Sequence, residues 1–388
     1  MVYAGVNANS FDLATKDLLV LAEFEVQTER VRRSTERVGR ERMAERDRLV
    51  EAYEKLPLPK RQQSPVDQVP QVACVQMDGG RMQRRDRHQS RTEQRDDKEG
   101  FWREVKVGCL LSMTSQVSST DPCPELPPTF VDPGRMREIA REIKGFSSEA
   151  DSSLDAQQPP DMPDRPGRAK PLVKSVVATC DSVDKFGPRL TTAAYHRGFH
   201  AASRKAFVAD GSETNWGVWR KHFSHYTPIL DFVHALTYVY AAAMAGQSTR
   251  DGWDTYRQWA QWVWSGEVAR VIAALKQQQA EMGVPPKDET GTPRWQVAET
   301  LRYLTNQQSR MHYADYRRQG LPVTSSYIES TVKQVNRRMK GTEKFWSNGA
   351  EPMVTLVADY LSETPVLAKF WQARPLRQIG MRCYQSAA

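Results

Sequence analysis

The chain has 388 residues, a formal net charge of +8 and five cysteines. This length can bury a sizeable core and predicts one large domain with an insertion, or two domains. The cysteines form neither a CxxC pair nor a zinc-ligand spacing, which excludes a disulfide scaffold and favours a reducing, cytoplasmic setting. The positive charge favours an anionic partner. The N-terminus shows no basic region followed by an apolar stretch, so we expect no secretory signal.

The predicted elements begin with helix over residues 11–56, where acidic and basic side chains alternate closely. That alternation is typical of a solvated or weakly coiled-coil helix. A proline-punctuated linker over 56–70 leads into strands predicted at 71–77, 103–112, 172–180 and 205–209, and a fifth strand is predicted in YTPILDF. The polar stretch 114–171 is predicted to be a surface excursion with one helix at 133–144.

The pattern from 231 to 310 is helical, and seven of the ten tryptophans fall between Trp216 and Trp295. We expect a helical insertion with an aromatic core, separable from the sheet, over residues 235–310. The apolar run 229–246 carries Asp231 and His234, which favours a buried helix over a membrane span. We therefore expect no membrane association.

Three acidic residues stand in settings that indicate chemistry: Asp78, Asp210 and Glu329. In VACVQMDGG and KAFVADGS an apolar run ends in Asp-Gly, which predicts a carboxylate at the tip of a buried strand, where the backbone turns sharply. Taken alone, each Asp-Gly is equally typical of a turn-forming aspartate.

Glu329 lies on a predicted helix that begins near Ser325. One stripe of this helix is apolar, and its members are Ile328, Val332, Val335 and Met339. The flank carries Glu329 followed by a cationic row: Lys333, Arg337, Arg338, Lys340 and Lys344. A surface Glu–Lys pair worth about 0.3 kcal/mol explains the first two residues. It does not explain the continued row, which predicts contact with a phosphate backbone.

The order strand, strand, strand, helix, strand, strand, helices predicts an α/β fold and invites comparison with the ribonuclease H-like mixed sheet, here with flanking helices and an all-helical insertion. The chain resembles DDE-type transposases of bacterial insertion sequences, similar to Mutator-like element transposases, over roughly residues 70–362. The resemblance rests on QMDGGRMQRR, WREVKVGCL, AFVADGS, ILDFVHALTYVY and YRRQGLPVTSSYIESTVKQVNRRMKGTEKFW in that order.

The resemblance implies that Asp78, Asp210 and Glu329 are the catalytic and metal-binding triad. They would hold two Mg²⁺ (or Mn²⁺) ions, the hard cations that carboxylates bind. It further implies cleavage and joining of transposon-end and target DNA by a homo-oligomer in the bacterial nucleoid. Related transposases carry an Asp/Cys-x-x-His after the second aspartate, so Asp231 and His234 become an orienting or phosphate-contacting pair beside the site. Their structural alternative is a helix cap with a histidine in the first turn.

The expected division of the chain is a helical segment and linker at 1–70, the first part of the catalytic core at 71–234, the insertion at 235–310, the core completion at 311–362 and a basic tail at 363–388. Besides the cationic row, we expect DNA contacts from a basic run after the first strand, through Arg81, Arg84 and Arg85.

Two alternatives stay open. The chain could be a transposase-derived DNA-binding protein that no longer cuts, which Thr324, Ser325 and Ser326 favour because glycines are usual in this loop of the family. It could also be a ribonuclease H-like nuclease without strand transfer. Related transposases usually carry an N-terminal DNA-binding region, often with paired cysteines, and nothing of that kind precedes residue 70, so an N-terminally truncated member is a further expectation.

Overall fold

The computed structural model of the chain describes residues 1–85, 102–144, 167–339 and 345–379. It shows a mixed α/β architecture in which a central sheet is flanked by helices and joined to a helical region. Residues 86–101, 145–166, 340–344 and 380–388 lie outside the described part, so the part of the basic run after Arg85 and the end of the C-terminal tail are not covered.

The main sheet has the strand order β3-β2-β1-β4-β5, and β1 lies at its centre. β1 pairs antiparallel with β2 and parallel with β4, while β2 pairs antiparallel with β3 and β4 parallel with β5. A short sixth strand pairs with the far end of β1. The strands are β1 Val72–Arg85, β2 Trp102–Thr114, β3 Lys170–Thr179, β4 Arg204–Ala209, β5 Thr227–Leu230 and β6 Phe345–Trp346. The five predicted strands are therefore confirmed.

Helices precede, interrupt and follow the sheet. Before it come α1 Val2–Asn7, α2 Phe11–Ala22, α3 Thr28–Glu54 and α4 Leu58–Arg61. Between its strands lie α5 Pro133–Lys144, α6 Val183–His196 and α7 Glu213–His222. After β5 follow α8 Phe232–Met244, α9 Thr249–Trp264, α10 Val268–Met282, α11 Pro293–Gln307, α12 Tyr313–Arg318, α13 Ser326–Met339, α14 Ser347–Leu361 and α15 Val366–Ile379. Short 3₁₀ turns occur at Pro128–Phe130, Phe199–Ala201 and Gln308–Arg310.

Helix α3 is not the solvated or coiled-coil helix that its charge pattern predicted. Val31 and Val38 are buried, and the helix packs against α14. Arg42 donates to Asp359 of α14 at 2.8 Å, with both side chains largely buried. Arg42 and Arg46 of α3 therefore have specific acidic partners on another helix, which an alternating pattern alone does not distinguish from solvated charge.

The region between β5 and α13 is mainly helical, as expected, but it is not separable from the sheet. Tyr256 and Trp264 of α9 belong to the same continuous core as Phe207 and Ile229 of the sheet. Tyr256 also donates to the carbonyl of Phe130 at 2.9 Å, which ties α9 to the excursion after β2. The aromatic concentration marks a shared core, because large rings bury as well against a sheet as against helices.

The run 229–246 is divided between the end of β5 and helix α8, whose inner side is buried. No helix in the described part of the chain is long and apolar enough to cross a membrane.

Candidate active site

Asp78 lies within β1, and Asp210 directly follows the neighbouring parallel strand β4. Gln76 of β1 pairs with Val208 of β4, and each aspartate stands two residues further along its strand direction. Burial raises the pKa of Asp78 to about 6, the backbone hydrogen bond from Gly79 opposes this rise, and the negative charge of Asp210 adds to it. The carboxylates of Asp78 and Asp210, from distant segments of the chain, therefore lie near each other in a partly buried site.

Asp210 sits on a sharp turn, as its Asp-Gly motif predicted. Gly211 has φ +96°, a conformation that side chains other than glycine rarely adopt. The Asp210 Oδ1 atom accepts from the backbone N–H of Ser212 at 2.9 Å and from Asn215 Nδ2 at 2.8 Å. These bonds fix one oxygen of the carboxylate at the start of α7.

The helical region holds the backbone of this turn. Tyr303 of α11 donates its hydroxyl to the Asp210 carbonyl at 2.7 Å, and Gln307 donates to the Gly211 carbonyl at 3.0 Å. The Tyr303 ring stacks on Tyr238 of α8 with ring centroids 3.8 Å apart. Helix α11 thus holds the turn at the second aspartate directly, and α8 supports it through the stacked tyrosine rings.

Asp78 does not end its strand, and here the predicted turn is wrong. β1 continues through Gly79 and Gly80 to Arg85 and stays paired with β2 over Asp78. A Cβ atom at Gly80 would lie 2.7 Å from Asn336 Oδ1 of α13. The glycine leaves room for the close approach of a helix to the strand, a role that gives the same sequence signal as a turn.

Glu329 projects from α13 as the helical phase predicted. Ile328 and Val335 are buried, together with the rest of the predicted stripe, while Glu329 lies on the flank and is partly buried. Burial raises the pKa of Glu329, and the negative charges of Asp231 and Asp78 add to the rise. Within the described residues its carboxylate accepts no hydrogen bond.

Asp231 and His234 lie beside these acids. Asp231 is fully buried and caps α8 by accepting from the Val233 N–H at 2.8 Å. Its other oxygen accepts from Ser325 Oγ and contacts His234 Nδ1 at 3.0 Å. Asp231 therefore both caps a helix and orients the imidazole, so the two readings of this pair are compatible.

The charge on His234 follows from its neighbours. Burial alone would lower its pKa, but the hydrogen bond to Asp231 and the negative charges of Asp231, Asp210 and Glu329 raise the pKa to about 9. At neutral pH the imidazole is therefore a cation within a group of carboxylates. It offsets part of their mutual repulsion.

One ligand atom from each of Asp231, His234 and Glu329 lies within 4.8 Å of the other two, a spacing that could hold a metal ion. However, both oxygens of Asp231 already accept hydrogen bonds, from Val233 and from His234 and Ser325. Asp231 is thus better suited to support His234 from behind than to bind a metal.

The predicted DNA-binding cations divide into exposed residues, residues that the structure does not describe, and the buried Arg338. Arg81, Lys333 and Arg337 are exposed, and Arg337 donates to Asn9 Oδ1 at 3.1 Å. Lys340 and Lys344, with the side chains of Arg84 and Arg85, lie outside what the structure describes.

Arg338 corrects the prediction that the whole cationic row faces DNA. Its side chain is 3% exposed. It donates to the Gly5 carbonyl at 3.1 Å and lies 4.7 Å from the centre of the Phe11 ring. Arg338 lies on the packed side of α13. Its guanidinium stacks on Phe11 and so joins α13 to the N-terminal helices.

Sequence reasoning missed three supporting side chains: Gln76, Asn215 and Tyr303. Gln76 gave a signal, because it is a polar residue within the buried run VACVQM. Asn215 and Tyr303 lie on amphipathic helices where polar or aromatic residues are ordinary, so nothing in the sequence marked them.

Comparison of the chain with protein-family models and with curated protein sequences finds no match.

Proposed function

We propose that this chain is a DDE-type transposase with a ribonuclease H-like core, which cleaves transposon ends and joins them to target DNA. The observation that carries the proposal is a convergence of acids from distant segments. Asp78 and Asp210 each stand two residues beyond a paired position of neighbouring parallel strands, and ligand atoms of Glu329, Asp231 and His234 lie within 4.8 Å of one another. The three acids of the predicted triad come from the central strand, its parallel neighbour and a late helix packed against both β1 and β2. That arrangement is the one that the family resemblance implies.

The donor chemistry of the three acids suits divalent cations. The donors are carboxylate oxygens, which Mg²⁺ and Mn²⁺ prefer. Asp78 and Asp210 each use Oδ1 for a protein hydrogen bond, and within the described residues Oδ2 of each accepts none. Asp78, Asp210 and Glu329 would hold the metal. When bound, magnesium activates the attacking oxygen and stabilises the leaving oxygen at a phosphodiester.

The remaining residues of the site position groups and balance charge. Asn215 and Tyr303 hold Asp210, while Asp231 holds His234 in a fixed orientation. In this proposal a protonated His234 would contact a phosphate oxygen of the DNA. Lys333 and Arg337, exposed on the same helix as Glu329, would neutralise phosphates further along the backbone.

Removal of one acid tests the proposal. Asp210→Asn keeps the shape and the acceptor atom of the side chain but deletes a charge that the metal needs. We expect Mg²⁺-dependent nicking and joining of a transposon-end duplex to fall by about a thousandfold or more while DNA affinity is kept. Asp288→Asn, at an exposed aspartate, is the matched control and should leave cleavage unchanged.

The outcome also decides between the alternatives. If the unaltered chain binds DNA but shows no metal-dependent cleavage, the DNA-binding protein is correct and the enzyme is not. If it cuts but never joins strands, the nuclease is correct. Ser325 gives the altered loop a structural role, because its hydroxyl donates to Asp231.

A further inference from the structure

Gln76 is a fully buried amide at the centre of the sheet, and both ends of its side chain are used. Its Nε2 donates to the Thr324 carbonyl at 3.0 Å, and its Oε1 accepts from the Ile328 N–H at 3.1 Å. Both partners belong to the segment that begins α13. A side chain of the central strand therefore fixes the start of the helix that carries Glu329.

Alternate residues of β1 face this helix. Gln76 contacts Ile328, and a Cβ at Gly80 would meet Asn336. Four residues of strand span roughly 13 Å, and eight residues of helix span roughly 12 Å. The two elements thus run side by side in matched register, with Asp78 midway between the two strand contacts.

The amide acts next to two of the three acids. Asp78 follows Gln76 by two residues, on the same side of the strand, and Glu329 directly follows Ile328. A shift of α13 along β1 would change the separation of these carboxylates. Only a neutral side chain with both a donor and an acceptor can make both bonds without adding charge beside the acids.

We propose that Gln76 is a positioning residue that sets Glu329 opposite Asp78 for metal binding. This inference rests on the proposed function for its consequence in catalysis. The local structural effect can be measured without any activity, which keeps the two separable.

The variant is Gln76→Met, which keeps length and apolar volume but removes both bonds. Tyr256→Phe is the matched control, since it deletes one buried hydrogen bond, to the Phe130 carbonyl, and no hydrogen bond to α13 or to an acid. Three properties are compared in the full chain: amide exchange of a peptide covering 324–332, Mn²⁺ affinity by calorimetry, and the kcat and KM of DNA cleavage.

We expect Gln76→Met to speed exchange across 324–332, to weaken Mn²⁺ binding by about tenfold and to lower kcat with little change in the KM for DNA. Tyr256→Phe should change none of these. If Gln76→Met does not fold, Gln76→Asn, which is one methylene too short to reach both partners, takes its place.

Unchanged exchange across 324–332 in the Gln76 variant would overturn the proposal, whatever happens to global stability. So would faster exchange with normal Mn²⁺ affinity and kcat in an active enzyme, because Gln76 would then be only structural. If the unaltered chain binds no Mn²⁺ and cuts no DNA, the proposed function fails. In that case the exchange experiment alone decides whether Gln76 positions α13.

Discussion

Replacement of Asp78 by asparagine should stabilise the metal-free protein although it removes a catalytic acid. The folded state holds Asp78 partly buried and close to Asp210, and both conditions disfavour its charge. Asparagine keeps an oxygen that can accept from the Gly79 N–H, now 2.7 Å from Asp78 Oδ1. The substitution thus removes an unfavourable charge and retains the local hydrogen bond.

The magnitude follows from the pKa. The gap between about 6 in the folded chain and the ordinary 3.8 corresponds to about 3 kcal/mol. Asp78 keeps some solvent contact, so screening reduces the expected gain to about 1 to 2 kcal/mol. Because the folded pKa is raised, an ionised Asp78 lowers the free energy of unfolding fully above pH 6. That penalty fades as the pH falls through 6 toward 3.8.

Urea unfolding followed by tryptophan fluorescence measures this gain at pH 8 and at pH 5. In the absence of divalent metal, Asp78→Asn should unfold at higher urea than the unaltered chain at pH 8, and the difference should shrink at pH 5. The exposed Asp288→Asn serves as control and should show no pH-dependent difference.

Magnesium should reverse the order. A metal that binds only the folded state stabilises it by about 2.7 kcal/mol when its concentration is a hundredfold above Kd. The unaltered chain should gain this stability and Asp78→Asn should not. If Asp78→Asn is less stable than the unaltered chain without metal at pH 8, the assignment of Asp78 to a repulsive carboxylate cluster is wrong.

Two further predictions concern neighbouring arginines and a buried histidine. Arg338→Ala should destabilise the fold by about 2 to 4 kcal/mol, because a buried guanidinium loses its contacts. Arg337→Ala should instead weaken DNA binding and lower the slope of log affinity against log salt concentration by about one. Urea unfolding and DNA binding at several salt concentrations test both variants; the reverse result, a stability loss for Arg337→Ala and a binding loss for Arg338→Ala, would contradict the assignment. His200 is held neutral because burial, with the nearby His225, lowers its pKa to about 4. The contribution of neutral His200 to the free energy of unfolding is complete above pH 6.5 and is lost as the pH falls toward 4. The free energy of unfolding of His200→Gln should therefore depend less steeply on pH over that range. An unchanged slope would contradict this.

The sheet and the phase of α13 could be predicted because each depends on local periodicity. The apolar runs gave all five strands of the main sheet, and the stripe through Ile328 and Val335 placed Glu329 on the flank of its helix. The turn at Asp210 could be predicted equally well, since it needs a positive φ that Gly211 supplies. In these cases the residue's own backbone requirement decides the structure.

The features that were missed depend on partners far along the chain. Arg338 looks like one more cation in a row until Gly5 and Phe11 are brought against it. The charges of α3 look solvated until Asp359 pairs with Arg42. Charge patterns fix which residues can reach solvent or a partner, but the choice between them is made by long-range packing.

Asp-Gly-Gly at 78–80 shows how one sequence signal can carry two physical meanings. Glycine there leaves room for the helix, because a Cβ at Gly80 would lie 2.7 Å from Asn336 Oδ1 and that side chain would have to shift. That approach lets Gln76 reach the backbone of Ile328, directly before Glu329. Two features of β1 thus set the position of α13, which carries Glu329: the absence of a side chain at Gly80 and the hydrogen bond from the Ile328 N–H to Gln76. The glycine and the glutamine belong to the construction of the site as much as the acids do.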